Sequence, residues 1–271
     1  MPELPEVETI VSDLRGVLPG MCFENLDFEH ENSVLGALDL ENELQGKKVE
    51  KVERRGKYIN IFFEGNKVMT IHLRMSGRLI FADLGEPAFR FERTRINFDK
   101  GSLRFCDIRK FGKVWINRVE DFEEKTGIIR LGIEPLSEDF SFVKFREIFG
   151  RKKGSVKKNL LDQSLMAGVG NIYADEACFY AGIRPNTAIE KLDEKQLEKL
   201  FLSVIKALKQ GIRNRGTSIS DFVDAYGKNG KNQEVLFVYG RGKMPCMKCG
   251  AMLLKTVVAG RGTVYCGSCQ N

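Results

Sequence analysis

The sequence predicts an α+β protein in which a leading helix and an antiparallel β-sandwich precede a helical segment and a short cysteine-rich hairpin. Four observations carry this. Hydrophobic residues recur with helical spacing near the start, alternate with strand spacing from Lys47 to about Asn117, and return to helical spacing after Pro135. The chain closes on two C-x2-C pairs. At 271 residues, 42% hydrophobic and 30% charged, it is long enough for one large or two modest domains with real cores, and disorder is not expected.

The first helix follows from Pro5, which suits a first turn, and from Glu6 and Glu8, which favour a helix N-terminus. Val7, Ile10, Val11, Leu14, Val17 and Leu18 supply its apolar stripe, and Gly16 with Pro19-Gly20 ends it. A buried helix here would fix the chain terminus against the body of the protein. That matters because removal of Met1 would leave Pro2 as a secondary amine beside Glu3 and Glu6. An α-amino group has a pKa of about 8, against about 10.4 for lysine, so a useful fraction is unprotonated at neutral pH. Such an amine is poised to attack a sugar aldehyde, with Glu3 as general acid or base. A proline at the second position also simply permits methionine removal, and it counts as a site only with the helix that would hold it.

Through the middle of the chain short alternating runs such as Lys67–Leu73 and Arg95–Phe98 are broken by Gly-Lys, Gly-Asn and Lys-Gly turns, as an antiparallel sheet or sandwich requires. Phe142, Phe145, Ile148 and Phe149 then share one helical face, and Leu160, Leu161 and Leu165 another, which places a boundary near residue 135. Gly168-Val169-Gly170-Asn171 separates two helical segments; its amides suit a phosphate, and equally suit a plain cap and turn. A long helix from about Asp193 to Arg213 packs through Leu197, Leu200, Phe201, Val204, Ile205, Leu208 and Ile212. Residues 214–234 are polar and aperiodic, and so long a loop is read as a substrate lid.

Cys246, Cys249, Cys266 and Cys269 have the spacing of a four-thiolate zinc site, with strands at Leu253–Val258 and Thr263–Tyr265 and a turn at Ala259-Gly260-Arg261-Gly262. Two disulfides are the competing reading. An odd total of seven cysteines and the absence of an export signal oppose it. Four thiolates leave no open position, so one Zn2+ would be structural and the hairpin would display Arg261.

Net charge is +6, unevenly spread. Residues 1–46 hold one Arg and 11 Asp or Glu, residues 47–135 hold 20 basic and 13 acidic side chains, and residues 136–271 hold 22 and 13. The displacement of positive charge towards the later chain suits a polyanionic partner. No apolar run approaches the roughly 20 residues of a membrane span, and a cytoplasmic protein is expected.

Pro2-Glu3-Leu4-Pro5-Glu6-Val7-Glu8-Thr9, Arg55-Gly56-Lys57-Tyr58, Gly168-Val169-Gly170-Asn171-Ile172-Tyr173 and the four-cysteine hairpin together resemble bacterial formamidopyrimidine-DNA glycosylase, in the expected order along the whole chain. The resemblance implies a catalytic sandwich domain over 1–135. It further implies a helix-two-turn-helix domain over 136–234, with a lesion-covering loop at about 214–234, and a zinc finger over 235–271. It implies base-excision repair of double-stranded DNA: the terminal proline attacks C1′, expels an oxidised purine through a Schiff base, and β,δ-elimination cuts the strand. The sequence shows no oligomerisation signal, and a monomer is expected.

Carried onto this chain, Pro2 is the nucleophile, Glu3 the proton donor and acceptor, and Glu6 an electrostatic support. Lys57, Asn171 and Arg261 match residues that hold phosphates, with Lys57 also assisting at the lesion; Lys157 and His72 match further DNA contacts. Met75, Arg109 and Phe111 match the residues that wedge into the duplex and face the orphaned cytosine. Thr217, Ser218 and Tyr239 match the lesion loop. Two departures stand out: Lys231-Asn232 occupies positions often aromatic in the family, which bears on lesion preference, and Lys158 replaces a frequent proline. Two alternatives share parts of the pattern, an endonuclease VIII-like glycosylase for oxidised pyrimidines and a non-catalytic zinc-finger DNA-binding protein.

Overall fold

Helix α1 (Leu4–Arg15) begins with a reciprocal capping box between Glu3 and Glu6, and buries Leu4, Val7, Ile10, Val11 and Leu14 completely. The structure is a computed structural model that describes residues 1–29, 34–35 and 42–271. Its contacts divide the chain into two units, Met1–Ile129 with Asn214–Gln233, and Arg130–Arg213 with Glu234–Asn271.

In the first unit α1 packs on β3 (Val49–Arg55) of a five-stranded sheet ordered β2-β9-β5-β4-β3, where β2 is Val34–Leu35, β9 Lys113–Arg118, β5 Lys67–His72 and β4 Tyr58–Phe63. A four-stranded sheet, ordered β1-β7-β8-β6, is built from β1 (Phe23–Phe28), β7 (Glu92–Phe98), β8 (Gly101–Cys106) and β6 (Arg78–Ala82). Pairing is antiparallel throughout except between β2 and β9. Inward-facing residues of both sheets and the apolar face of α1 share one core. Phe23 joins the layers, edge-on to Phe63 of the other sheet at 6.0 Å and to Phe98 of its own at 6.3 Å. The helix α2 (Phe122–Thr126) lies beside β9.

The second unit holds α3 (Phe142–Phe149), α4 (Val156–Leu161), α5 (Asn171–Ala181) and α6 (Glu194–Arg213), with the hairpin β10 (Leu254–Val258) and β11 (Arg261–Tyr265). Asp193 caps α6, accepting the Gln196 N–H at 2.8 Å while its own N–H donates to Gln196 Oε1 at 3.0 Å. The α6 stripe buries Leu197, Leu200, Phe201, Val204 and Leu208 as the periodicity predicts, with Ile205 and Ile212 at its margin. Leu165 departs from expectation: α4 stops at Leu161 and Leu165 is buried from the turn that follows.

Two sequence assignments shift. The hairpin turn is only Ala259-Gly260, at φ 51° and 69°, the left-handed pair a two-residue hairpin demands, so Arg261 opens β11 and pairs with Val258. Residues 214–233, which the sequence groups with the helical segment, pack in the first unit, where Phe222 and Ala225 enter its core and Phe81 N–H donates to Ala225 O at 2.8 Å.

Candidate active site and nucleic-acid interface

Pro2, Glu3 and Glu6 are buried, whereas Met1 is half exposed. With Met1 attached the Pro2 nitrogen is an amide; hydrolysis of that bond would make it an amine. The Glu6 carboxylate takes a backbone N–H on each oxygen, from Glu3 at 2.9 Å and from Thr217 at 2.7 Å. One side chain therefore ties the start of α1 to the segment 214–233.

That segment is fixed by further charged and polar contacts. The Arg215 guanidinium lies 2.7 Å from Asp13 and 2.6 Å from Asp224, bridging α1 to the segment, and the hydrogen bonds from Arg215 to these carboxylates raise its pKa further. Buried Asn232 donates to Thr217 Oγ1 at 2.9 Å and accepts from Asn214 at 3.1 Å. Ser218 N–H donates to Gln233 Oε1 at 2.9 Å. Of the Lys231-Asn232 pair, only Lys231 is displayed to solvent.

Lys57 sits in the two-residue turn joining β3 to β4, where Gly56 has φ 55°, and is only 8% exposed. The adjoining hairpin sets Tyr58 opposite His72, ring to ring at 4.6 Å and edge-on, with Trp115 6.2 Å from Tyr58. Burial first, and then the charges of Arg74 and Lys57, push the His72 imidazole down to about 3. Its Nδ1 accepts the Arg74 N–H at 2.9 Å, so the neutral ring carries its proton on Nε2.

Met75, Arg109 and Phe111 are exposed, and Arg109 lies over the Phe111 ring at 4.9 Å. They stand on two loops, one between β5 and β6 and one between β8 and β9.

In the second unit the carbonyl of Gly262 accepts from Asn171 Nδ2 at 3.0 Å and from Lys157 Nζ at 3.2 Å, next to exposed Arg261. Lys157 is fully buried, with its ammonium 2.6 Å from Asp175 and 2.7 Å from Thr263 Oγ1. The structure thus puts it inside the unit, against β11, and not among solvated surface charges. Burial pushes the Asp175 carboxyl up to about 6 against the pull of Lys157. Gly170 caps α5 from an extended conformation, so Gly168–Asn171 forms the entry to that helix. Tyr239 is partly buried, and Glu176 accepts its N–H at 2.9 Å together with those of Phe237 and Val238.

The four cysteine sulfurs of the hairpin lie within 4.8 Å of one another, with Cys249 and Cys266 at 3.5 Å and Cys246 and Cys269 at 4.0 Å. Tetrahedral thiolates about 2.3 Å from Zn2+ stand close to 4 Å apart, whereas a disulfide needs about 2 Å. The donor set fits one structural zinc, its coordination complete.

Sequence reasoning missed Asp13, Arg215 and Asp224, together with Asp107, Asp175 and Glu176. Each is a charged residue whose partners lie far along the chain or in an irregular loop, so periodicity does not expose it.

Family models match three successive stretches: the formamidopyrimidine-DNA glycosylase N-terminal domain over residues 1–114, its H2TH domain over 131–223, and the zinc finger found in FPG and IleRS over 245–271. A formamidopyrimidine-DNA glycosylase of Heliobacterium modesticaldum is 40% identical, with all of both chains covered. Two solved structures of the Lactococcus lactis protein are each 35% identical, cover 99% of both chains and superpose with TM-score 0.91. One is a point mutant in complex with a Fapy-dG containing DNA, the other a complex with an abasic site containing DNA. Sandwich, H2TH domain and thiolate centre in this order define a zinc-finger DNA glycosylase of base-excision repair. The chain belongs to the formamidopyrimidine-DNA glycosylase family. Among the described residues no helix is long and apolar enough to cross a membrane.

Proposed function

We propose that the protein removes oxidised purines, chiefly 8-oxoguanine opposite cytosine and formamidopyrimidines, from duplex DNA in the cytoplasm, acting as a monomer, and then cuts the strand at the abasic site. The observation that carries the reading is the buried start of α1, where Pro2 precedes a capping box of two carboxylates one of which also holds Thr217. After removal of Met1 the Pro2 amine attacks C1′, the N-glycosidic bond breaks, and the base departs with the electron pair and takes a proton. The attached amine loses its proton, and its electron pair then expels O4′, which takes a proton as the sugar ring opens and leaves an iminium at C1′. Loss of the C2′ proton then expels the 3′ phosphate, a second elimination expels the 5′ phosphate, and hydrolysis of the imine frees Pro2. Glu3 is assigned to the proton transfers, Glu6 to holding the terminus and residue 217 together, and Lys57 to the lesion and its phosphate.

For DNA binding, His72, Asn171 and Arg261 are assigned to backbone phosphates, Lys157 to anchoring the hairpin that carries Arg261, and Met75, Arg109 and Phe111 to the gap left by the everted base. Thr217, Ser218 and Tyr239 are assigned to the lesion loop. The zinc ion holds the hairpin and takes no part in the chemistry. In this reading the functional divisions are 1–135 for catalysis, 136–234 for the helical domain with the loop, although residues 214–233 of that loop pack in the first unit, and 235–271 for the finger.

Borohydride trapping tests the mechanism. Zinc-loaded protein with a confirmed Pro2 terminus should form a covalent adduct with a duplex bearing 8-oxoguanine opposite cytosine, and peptide mapping should place it on Pro2. No adduct here or with an abasic duplex, despite DNA binding, would leave a non-catalytic binding protein. Faster excision of thymine glycol than of 8-oxoguanine would favour the endonuclease VIII-like specificity.

A further inference from the structure

The carboxylate of Asp107, only 1% exposed, is shared between two loops. Its Oδ1 accepts the Ser76 hydroxyl at 2.6 Å, directly after Met75, and the Arg109 N–H at 3.1 Å. Its Oδ2 accepts the Gly112 N–H at 2.8 Å, directly after Phe111. The main chain of Asp107 is held as well, its N–H donating to Phe91 O at 3.0 Å and its carbonyl accepting from Arg93 Nε at 3.0 Å. One carboxylate thereby holds Arg109 itself and the chain neighbours of Met75 and Phe111.

The backbone leaves these loops little room to adjust. Arg74 and Lys110 hold φ 55° and 57°. A β-carbon at Gly77 would fall 2.4 Å from Leu73 O, and one at Gly112 would fall 2.2 Å from the Phe105 ring. The exposed tips therefore rest on a buried and tightly spaced base. We propose that Asp107 is a positioning residue that presets the separation of Met75 from Arg109 and Phe111, so that the wedge enters the duplex already formed and Arg109 meets the orphaned base in fixed register. The inference rests on the wedge assignment above. It adds that opposite-base selectivity depends on a residue that does not touch DNA. Ordering two loops only after contact would charge their conformational entropy to the eversion step, and a shared acceptor removes that cost beforehand.

The test uses Asp107→Asn and Ser76→Ala in zinc-loaded, methionine-processed full-length protein. In Asp107→Asn one oxygen still accepts, while the amide NH2 would meet a backbone N–H that needs an acceptor. Single-turnover cleavage is followed on an abasic site in single-stranded DNA and on 8-oxoguanine duplexes with cytosine or adenine opposite. A 2-aminopurine beside the lesion reads unstacking. Wild type should cleave all the abasic substrate and prefer cytosine. For Asp107→Asn, single-strand cleavage should stay within about twofold, whereas duplex excision opposite cytosine should fall about tenfold, the size of a lost charge-assisted hydrogen bond. The cytosine preference and the 2-aminopurine signal should fall with it. Ser76→Ala, which removes only the cross-loop bond, should show the same pattern more weakly. An unchanged cytosine preference in both variants, or an equal loss on single-stranded and duplex substrates, would overturn the inference. Wild type that forms no borohydride adduct even on the abasic single strand would overturn the base-excision reading and this inference with it.

Discussion

His72 and Arg261 are both assigned to phosphates, and their surroundings make the two contacts physically different. The imidazole is neutral because desolvation and two neighbouring cations hold it down to about 3, so it offers a hydrogen bond from Nε2 without charge. Arg261 is exposed and brings a full charge that displaces a counterion. Arg261→Ala should weaken DNA binding and reduce the slope of log K against log salt by about 0.9, while His72→Gln should weaken binding with the slope unchanged, as titration at several salt concentrations would show. The same shift makes a stability prediction. Because the folded pKa of His72 lies below the unfolded value of 6.5, the unfolded chain binds more protons between about pH 3 and 6.5. The resulting contribution is complete above pH 6.5 and declines as pH falls towards 3. Replacing His72 by Gln should flatten that part of the stability profile measured by urea unfolding. Nothing in the sequence distinguishes this histidine from a surface one. Its environment is made by cross-strand pairing with Tyr58 and by Lys57 in the adjoining turn, which only the register of the hairpin reveals.

At the level of elements, the segment 214–233 shows best where local pattern ends. Its lack of periodicity reads as a loop, and the sequence makes it a lid; yet its anchors are residues about 200 positions earlier, as in Arg215 with Asp13 and Thr217 with Glu6. Polar contacts of that reach leave no periodic trace. By contrast α1 and α6 were legible because their stripes of apolar residues repeat every three or four positions, and the cysteine hairpin because ligand spacing is a local constraint. Lys157 lies between these cases: a lysine near the start of a helix looks solvated until Asp175 and Thr263, from two other elements, are brought to it. Two substitutions measure how firmly the segment is held. Arg215→Met leaves Asp13 and Asp224 facing each other, and, discounting for the partial exposure of the guanidinium, should cost about 1–3 kcal/mol in urea unfolding. Asn232→Phe must bury an aromatic ring where Thr217 and Asn214 now find partners and should cost about 2–3 kcal/mol. Lys231→Ala, at an exposed position beside it, should change stability by no more than about 0.5 kcal/mol.

Across the whole molecule the two units depend differently on metal. Cys246 and Cys266 belong to a small core with Phe179, Val238, Leu253 and Val264, and that core carries the thiolate centre as its staple. The first unit instead rests on a core shared by two sheets and a helix. Chelation of zinc should therefore lower the unfolding temperature of the second unit and abolish the Arg261 contribution to DNA affinity, while the first unit keeps its transition in calorimetry. A single coincident shift of both transitions would contradict this. The distinction can be followed without any label, because the chain has one tryptophan, Trp115 on β9, and it belongs to the first unit. Mostly buried and 6.2 Å from the Tyr58 ring, its indole stands beside the β4–β5 hairpin that carries His72, next to the turn that carries Lys57. Its emission is an optical gauge native to one half of the molecule: silent when the metal leaves the other half, and responsive when a phosphate settles against the strand turn at its side.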